Sequence, residues 1–137
     1  MKAVACQPRL RGRMKVAHMR GDCDHYGGSF LEGRTVRHMN NTDALDPGWL
    51  GNPHSITTAA RGRRAAIAAY LRDFCNRIDA DAEFRAAVEG LRGQKVGCWC
   101  RGVTQPRTAE SFCHLDVVAA WIDGDLSPVY EFLRGDL

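Results

Sequence analysis

The feature that most limits what this chain can fold into is one amphipathic helix near its middle. Ile67, Leu71, Phe74 and Ile78 fall at i, i+4, i+7 and i+11, which on a 3.6-residue period makes a single apolar stripe. Either Thr57 or Thr58 can cap its start, so the spacing predicts a helix from there to about Ile78. Projected backwards, the stripe carries Arg64, with Arg63 at its edge. An arginine on a buried stripe needs an anionic partner from protein or ligand. The alternative is a guanidinium that snorkels at the rim.

The remaining elements are arranged around that helix. Lys15 to Arg20 and Thr35 to Met39 read as short strands, with a turn-rich segment from Gly21 to Gly33 between them. That segment holds Asp22-Cys23-Asp24-His25, four contiguous residues that converge poorly on one ion and read as a polar loop. From Asn40 to Ser55 the chain is loop-like, punctuated by Asp46-Pro47-Gly48 and Gly51-Asn52-Pro53-His54. A loop of that length inside a compact domain is more often functional than idle. A second helix is predicted from about Asp81 to Leu91, with Phe84, Ala87, Val88 and Leu91 inward and Gly93 closing it. Gln94 to Trp99 reads as a buried central strand, 101–112 as a polar loop, and Cys113 to Ile122 as a third helix. Ser127-Pro128 opens a last short helix through Leu133, since proline suits the first helical position. The expected fold is α/β: a single small sheet sandwiched by helices, with a strand–loop–helix site near the C-terminal third.

Length and composition narrow the class. With 137 residues, 45% of them hydrophobic and 26% charged, the chain suits one globular domain. No apolar run approaches the roughly 20 residues that span a bilayer, so no membrane partner is expected. The N-terminus has charge but no apolar segment after it, unlike a secretory signal. A cytoplasmic location follows, and the six cysteines are expected to be reduced there. Lys2, Arg9, Arg11, Arg13, Lys15 and Arg20 occur in the first 21 residues without an acid. Such a stretch can hold nucleic-acid phosphates, although its usual role is a solvated tail. Residues 1–13 are expected to form a basic, flexible leader, with Met14 an alternative start and 14–137 the single domain.

Chemistry concentrates at Cys98-Trp99-Cys100 and Cys113-His114, which flank one loop. Three readings stay open. Cys98, Cys100, Cys113 and His114 could form a Cys₃His zinc site, although adjacent helical residues diverge by about 100° and rarely share an ion. Alternatively, Cys113 at a helix N-terminus favours thiolate, Cys100 lies beside it, and His114 or His54 serves as base or donor. Backbone NH groups at that helix start could also hold a phosphate or carboxylate. The bland reading is core packing, because unpaired cysteines are among the most buried residue types. Cys6 and Cys75 need nothing beyond that. The zinc-deaminase pattern, G-x-S-x-G, a P-loop and H-E-x-x-H are all missing.

Certain spacings resemble an uncharacterised domain-of-unknown-function family common in phages, prophages and bacteria. The matching residues are Gly51-Asn52-Pro53, then Arg63, Ile67 and Tyr70, then the run Leu91 to Cys100 ending in Cys98-Trp99-Cys100, and finally Cys113-His114. The resemblance covers about residues 49–122 and implies one small α/β domain of phage or prophage origin. It implies no established reaction.

The function expected from these residues is a small enzyme, or enzyme-like binder, for a phosphate-bearing nucleotide or nucleoside. Cys100, Cys113 and His114 are the catalytic candidates. Arg63 or Arg64 meets the anion, Asn52 shapes the pocket wall, and His54, Tyr70 and Trp99 complete the ligand-binding set. The alternative is a metal-stabilised nucleic-acid-binding module, with zinc on the Cys₃His set and residues 1–21 on phosphates. A purely structural or interaction protein is the third class.

Overall fold

The computed structural model describes residues 15–18, 25–26, 30–32, 35–54, 62–98 and 112–136, with side chains described over 37–54, 62–97 and 112–136. In chain order the elements are β1 (Lys15–His18), β2 (His25–Tyr26), β3 (Phe30–Glu32), β4 (Thr35–Arg37), α1 (Arg63–Ala80), α2 (Ala82–Glu89), β5 (Lys95–Cys98), α3 (His114–Asp123) and α4 (Ser127–Arg134). β5 lies between β1 and β2 and runs parallel to both, while β3 and β4 pair antiparallel.

Among the described residues the protein is mostly helical, which corrects the expected α/β sandwich. The strands are only two to four residues long. Strands so short offer no face wide enough to carry helices on both sides, so the helices bury their stripes against one another. α1 packs on α2, α3 and α4, and α3 packs on α2 and α4; β1 also lies against α3.

α1 begins at Arg63, later than Thr57 or Thr58, both of which lie outside the described residues. Gly62 sets that start: its φ of 68° and ψ of −139° are not helical, and no side chain caps the helix there. The buried face is Ala66, Ile67, Tyr70, Phe74 and Ile78. Leu71 is only half-buried, so Tyr70 takes the place on the stripe that the spacing gave to Leu71. Phe74 is the hub of the aromatic core, edge-on to Phe84 at 5.8 Å and to Trp121 at 6.1 Å, and stacked on Tyr70 at 6.2 Å. Cys75, expected as a plain reduced cysteine, is disulfide-bonded.

Asp81 joins α1 to α2. Its carboxylate accepts the Phe84 amide at 3.0 Å, which caps α2. α2 ends at Gly90, earlier than expected; Leu91 beyond it is buried, and Gly93 turns the chain into β5. α4 opens with the expected proline and closes at Gly135, whose φ is 86°.

The loop from His38 to His54 is fixed along α1 rather than left loose. It folds back on itself through the Met39 amide, which donates to the Gly51 carbonyl at 2.9 Å. Arg77 donates to the Met39 and Thr42 carbonyls. Tyr70 donates its hydroxyl to the Leu50 carbonyl at 2.8 Å. Asp73 takes side-chain bonds from Asn40 and His54. Residues 70, 73 and 77 follow helical spacing, so one flank of α1 holds the whole loop. Trp49 and Leu50 then enter the core, with Trp49 edge-on to Phe84 at 5.7 Å.

Candidate functional site

α3 presents Cys113 and His114 from its first turn. Cys113 is the N-cap: its sulfur accepts the Leu115 amide at 3.4 Å, and its own amide donates to Asp116 Oδ2 at 2.8 Å. This is a capping box with sulfur in the place usually taken by a hydroxyl. It has a direct consequence for anion binding. The amides of Cys113 and Leu115 are occupied by the chain's own side chains, so the helix start is not an open cradle for phosphate. Asp116, 2% exposed, adds a carboxylate there that sequence reasoning missed. The signal was present: an acid three positions after an N-cap is the mark of a capping box.

Cys113 is fully buried and not in a disulfide, and its sulfur lies 3.5 Å from His114 Nδ1. The His114 ring meets the Tyr70 ring edge-on at 5.0 Å. Arg63 reaches the same region, donating from Nη1 to the carbonyl of Phe112 at 2.8 Å. The structure therefore brings Arg63, Tyr70, Cys113 and His114 together where α1 faces the start of α3.

Arg64 goes elsewhere. Its Nε donates to the Phe132 carbonyl at 3.0 Å and its guanidinium lies 5.6 Å over the Phe132 ring, so it fastens the end of α4. Arg64 is exposed, which corrects its expected place on the buried stripe. The side chain of Cys98, together with Trp99 and Cys100, lies outside the described residues. Among the described residues no group of three or more His, Cys, Asp or Glu is gathered tightly enough to hold a metal.

Asn52 and His54 belong to a second cluster, one turn along α1 from Tyr70. Asn52 Oδ1 accepts the His54 amide at 2.8 Å, an Asx turn across Pro53. His54 Nε2 meets Asp73 Oδ2 at 2.6 Å, and Asn40 Nδ2 donates to the same oxygen at 3.0 Å. Burial would raise the pKa of Asp73, but the hydrogen bonds from Asn40 and His54 and the charges of His54 and Arg72 outweigh it. The carboxyl is held below the usual carboxylate range. His38 stands beside the pair, and its pKa is lowered by burial and by the charge of His54, against the attraction of Asp73. Asp73, Asn40 and His38 were not among the expected site residues.

The family described as a domain of unknown function, DUF4326, matches residues 20–124. The chain belongs to the DUF4326 family. Both clusters, and every expected site residue, fall within the matched DUF4326 segment, whereas α4 lies beyond it. No curated protein and no solved structure matches the chain. Among the described residues no helix is long and apolar enough to cross a membrane.

Proposed function

We propose that this DUF4326 protein is a small enzyme, or enzyme-like binder, for a phosphate-bearing nucleotide or nucleoside. Cys113 and His114 stand at the reacting group and Arg63 at the phosphate. The observation that carries the reading is the convergence of a half-buried guanidinium with a thiol–imidazole pair at one helix start. Arg63 makes one hydrogen bond among the described residues, to the Phe112 carbonyl, and no ion pair. A half-buried cation in that state suits an anion. The Cys113 sulfur accepts an amide proton and lies 3.5 Å from an imidazole nitrogen, within reach of a proton acceptor. The phage or prophage setting suggested by the sequence resemblance fits an enzyme of nucleotide or DNA-base modification.

Thermal unfolding of the full chain, with and without nucleoside 5′-mono-, di- and triphosphates, tests the reading. A nucleotide at 100 times its dissociation constant should stabilise the fold by about 2.7 kcal/mol. It should also slow alkylation of Cys113 by iodoacetamide, read by peptide mass. Arg63→Met should weaken binding at least tenfold, and Arg63→Lys less. If no nucleotide moves either the melting temperature or the alkylation rate, the reading is wrong.

A further inference from the structure

A groove runs between the 38–54 loop and the junction of α1 with α2. One part of it, a cleft of about 500 Å³, reaches from Asn40 to Asp81. The adjoining part, of about 580 Å³, takes its apolar wall from Ala44, Leu45, Ala86 and Ala87. Asp43, Arg77 and Asp81 line both parts, so the two are continuous.

Leu45 calls for an occupant. It is 63% exposed, more than any other large apolar side chain among the described residues. Its φ of 74° makes it the one non-glycine residue with a positive φ among them. That conformation is costly for a leucine and persists chiefly where a contact or a site uses it. Charge says what the occupant is. Asp43, Asp73, Asp81 and Glu83 line the groove against one cation among the described residues, Arg77. Arg77 is already engaged by the Met39 and Thr42 carbonyls and by Asp81. The side chains of Asp43 and Glu83 make no hydrogen bond or ion pair among the described residues. An acidic groove with an apolar wall, on a chain of net charge +3, suits a basic segment that carries an apolar side chain.

The chain itself supplies one. Residues 1–14 hold Lys2, Arg9, Arg11 and Arg13 and no acid, and Leu10 stands between two of the arginines. This stretch precedes the segment that the family matches, which starts at residue 20. It also joins the fold at the right end. Lys15 pairs with Lys95 in parallel register, so the chain enters β1 at the end of the sheet where the turn after α2 delivers β5. Ala86 and Ala87 lie in the last turn of α2. The five residues from Lys15 back to Leu10 can span about 17 Å when extended.

We propose that residues 9–13 dock in this groove of their own chain, with Leu10 against Leu45, Ala86 and Ala87 and the arginines on Asp43, Asp81 and Glu83. Exposed ion pairs are weak singly and screened by salt, so the docking is reversible. The groove thereby competes with any phosphate chain for the same arginines.

The test uses the full chain. Leu10→p-benzoylphenylalanine, irradiated and mapped by peptide mass, should cross-link within one chain to residues 43–45 or 83–87. Cross-links elsewhere in the chain, or between two chains, overturn the proposal. Tryptic cleavage after Arg9 gives a second readout, timed against a free peptide of residues 1–21 with the same leader sequence. Cleavage should be slower in the chain than in the peptide at low salt, and the two rates should converge as salt rises. Asp43→Asn with Glu83→Gln should speed cleavage of the chain about three- to tenfold, the range for two exposed ion pairs. Arg11→Glu and Arg13→Glu should speed it similarly, and adding Asp43→Arg and Glu83→Arg should slow it again, which a merely loosened fold would not do. A rate that ignores both the groove substitutions and salt overturns the proposal.

Discussion

Tyr70→Phe isolates the bond that ties the Asn40–His54 loop to α1. Tyr70 is fully buried and donates its hydroxyl to the Leu50 carbonyl at 2.8 Å. Phenylalanine keeps the ring, so the edge contact to His114 at 5.0 Å and the stack on Phe74 at 6.2 Å are preserved. Among the described residues the loss is one hydrogen bond and the desolvated carbonyl left behind. A neutral hydrogen bond contributes about 0.5–1.5 kcal/mol net, and an orphaned buried acceptor costs about 1–3 kcal/mol. We expect a destabilisation of about 1–2 kcal/mol. Unfolding entropy near 2.1 cal/mol/K per residue turns this into a melting shift of roughly 3–7 °C for a chain of this length. Urea titration should show a lower midpoint with an unchanged slope, the sign of lost stability rather than altered compactness. Amide exchange should quicken in residues 38–54 before it does in α2 or α3. A variant within the roughly 0.5 kcal/mol typical of harmless surface changes would refute the idea that this bond holds the loop.

Three further outcomes follow from the same contacts. Gly48→Ala should cost more than about 2 kcal/mol in denaturant titration, because φ is 93° there and an added Cβ would lie 2.7 Å from Arg37 Cβ and its carbonyl oxygen. Asp81→Ala should cost about 1 kcal/mol through loss of the α2 cap, read in the same way. Acid should destabilise the fold in two stages, followed by urea midpoints across pH. His38 and Asp73 both have pKa values lowered in the folded state, so the unfolded chain binds more protons and stability rises with pH. The first loss begins as pH falls through the ordinary histidine value of 6.5, and the second as it falls below the ordinary aspartate value of 3.8. Asp73→Asn should shrink the second stage, which Asp81 and Asp125 share because their carboxyls are also held low, and leave the first.

Much of the helical frame was legible because it depends on short-range periodicity. Ile67, Phe74 and Ile78 of the α1 stripe, the inward Phe84 and Val88 of α2 and the proline start of α4 all follow from local spacing and are all observed. The layer arrangement was not legible, because nothing local says whether strands will be long enough to receive helices on both faces. His54 stood out in the sequence, but its partners did not. Asp73 lies 19 residues after His54, and Asn40 lies 33 residues before Asp73. An aspartate on the polar flank of a helix reads as a solvated charge until the loop is seen folded against it.

The reversal of Arg63 and Arg64 has a single cause and its own test. The i, i+4, i+7, i+11 spacing of Ile67, Leu71, Phe74 and Ile78 puts Leu71 on the stripe. Once the Leu50 carbonyl satisfies the Tyr70 hydroxyl, that side chain can be fully buried, and the centre of the stripe rotates towards it. Arg63, seven positions before Tyr70, then falls on the inward face, while Arg64 turns out to the surface. The two arginines should behave differently when each is changed to methionine. Arg64→Met removes a hydrogen bond to the Phe132 carbonyl and a cation–π contact with its ring, both at an exposed guanidinium. Hydrogen bonds to charged groups reach about 1.5–3 kcal/mol, and exposure brings this one down to about 1 kcal/mol. The loss should appear as faster amide exchange in α4, with nucleotide binding unchanged. If Arg64→Met weakens nucleotide binding as much as Arg63→Met does, the inward and outward assignments are wrong, and Arg63 loses its claim on the anion.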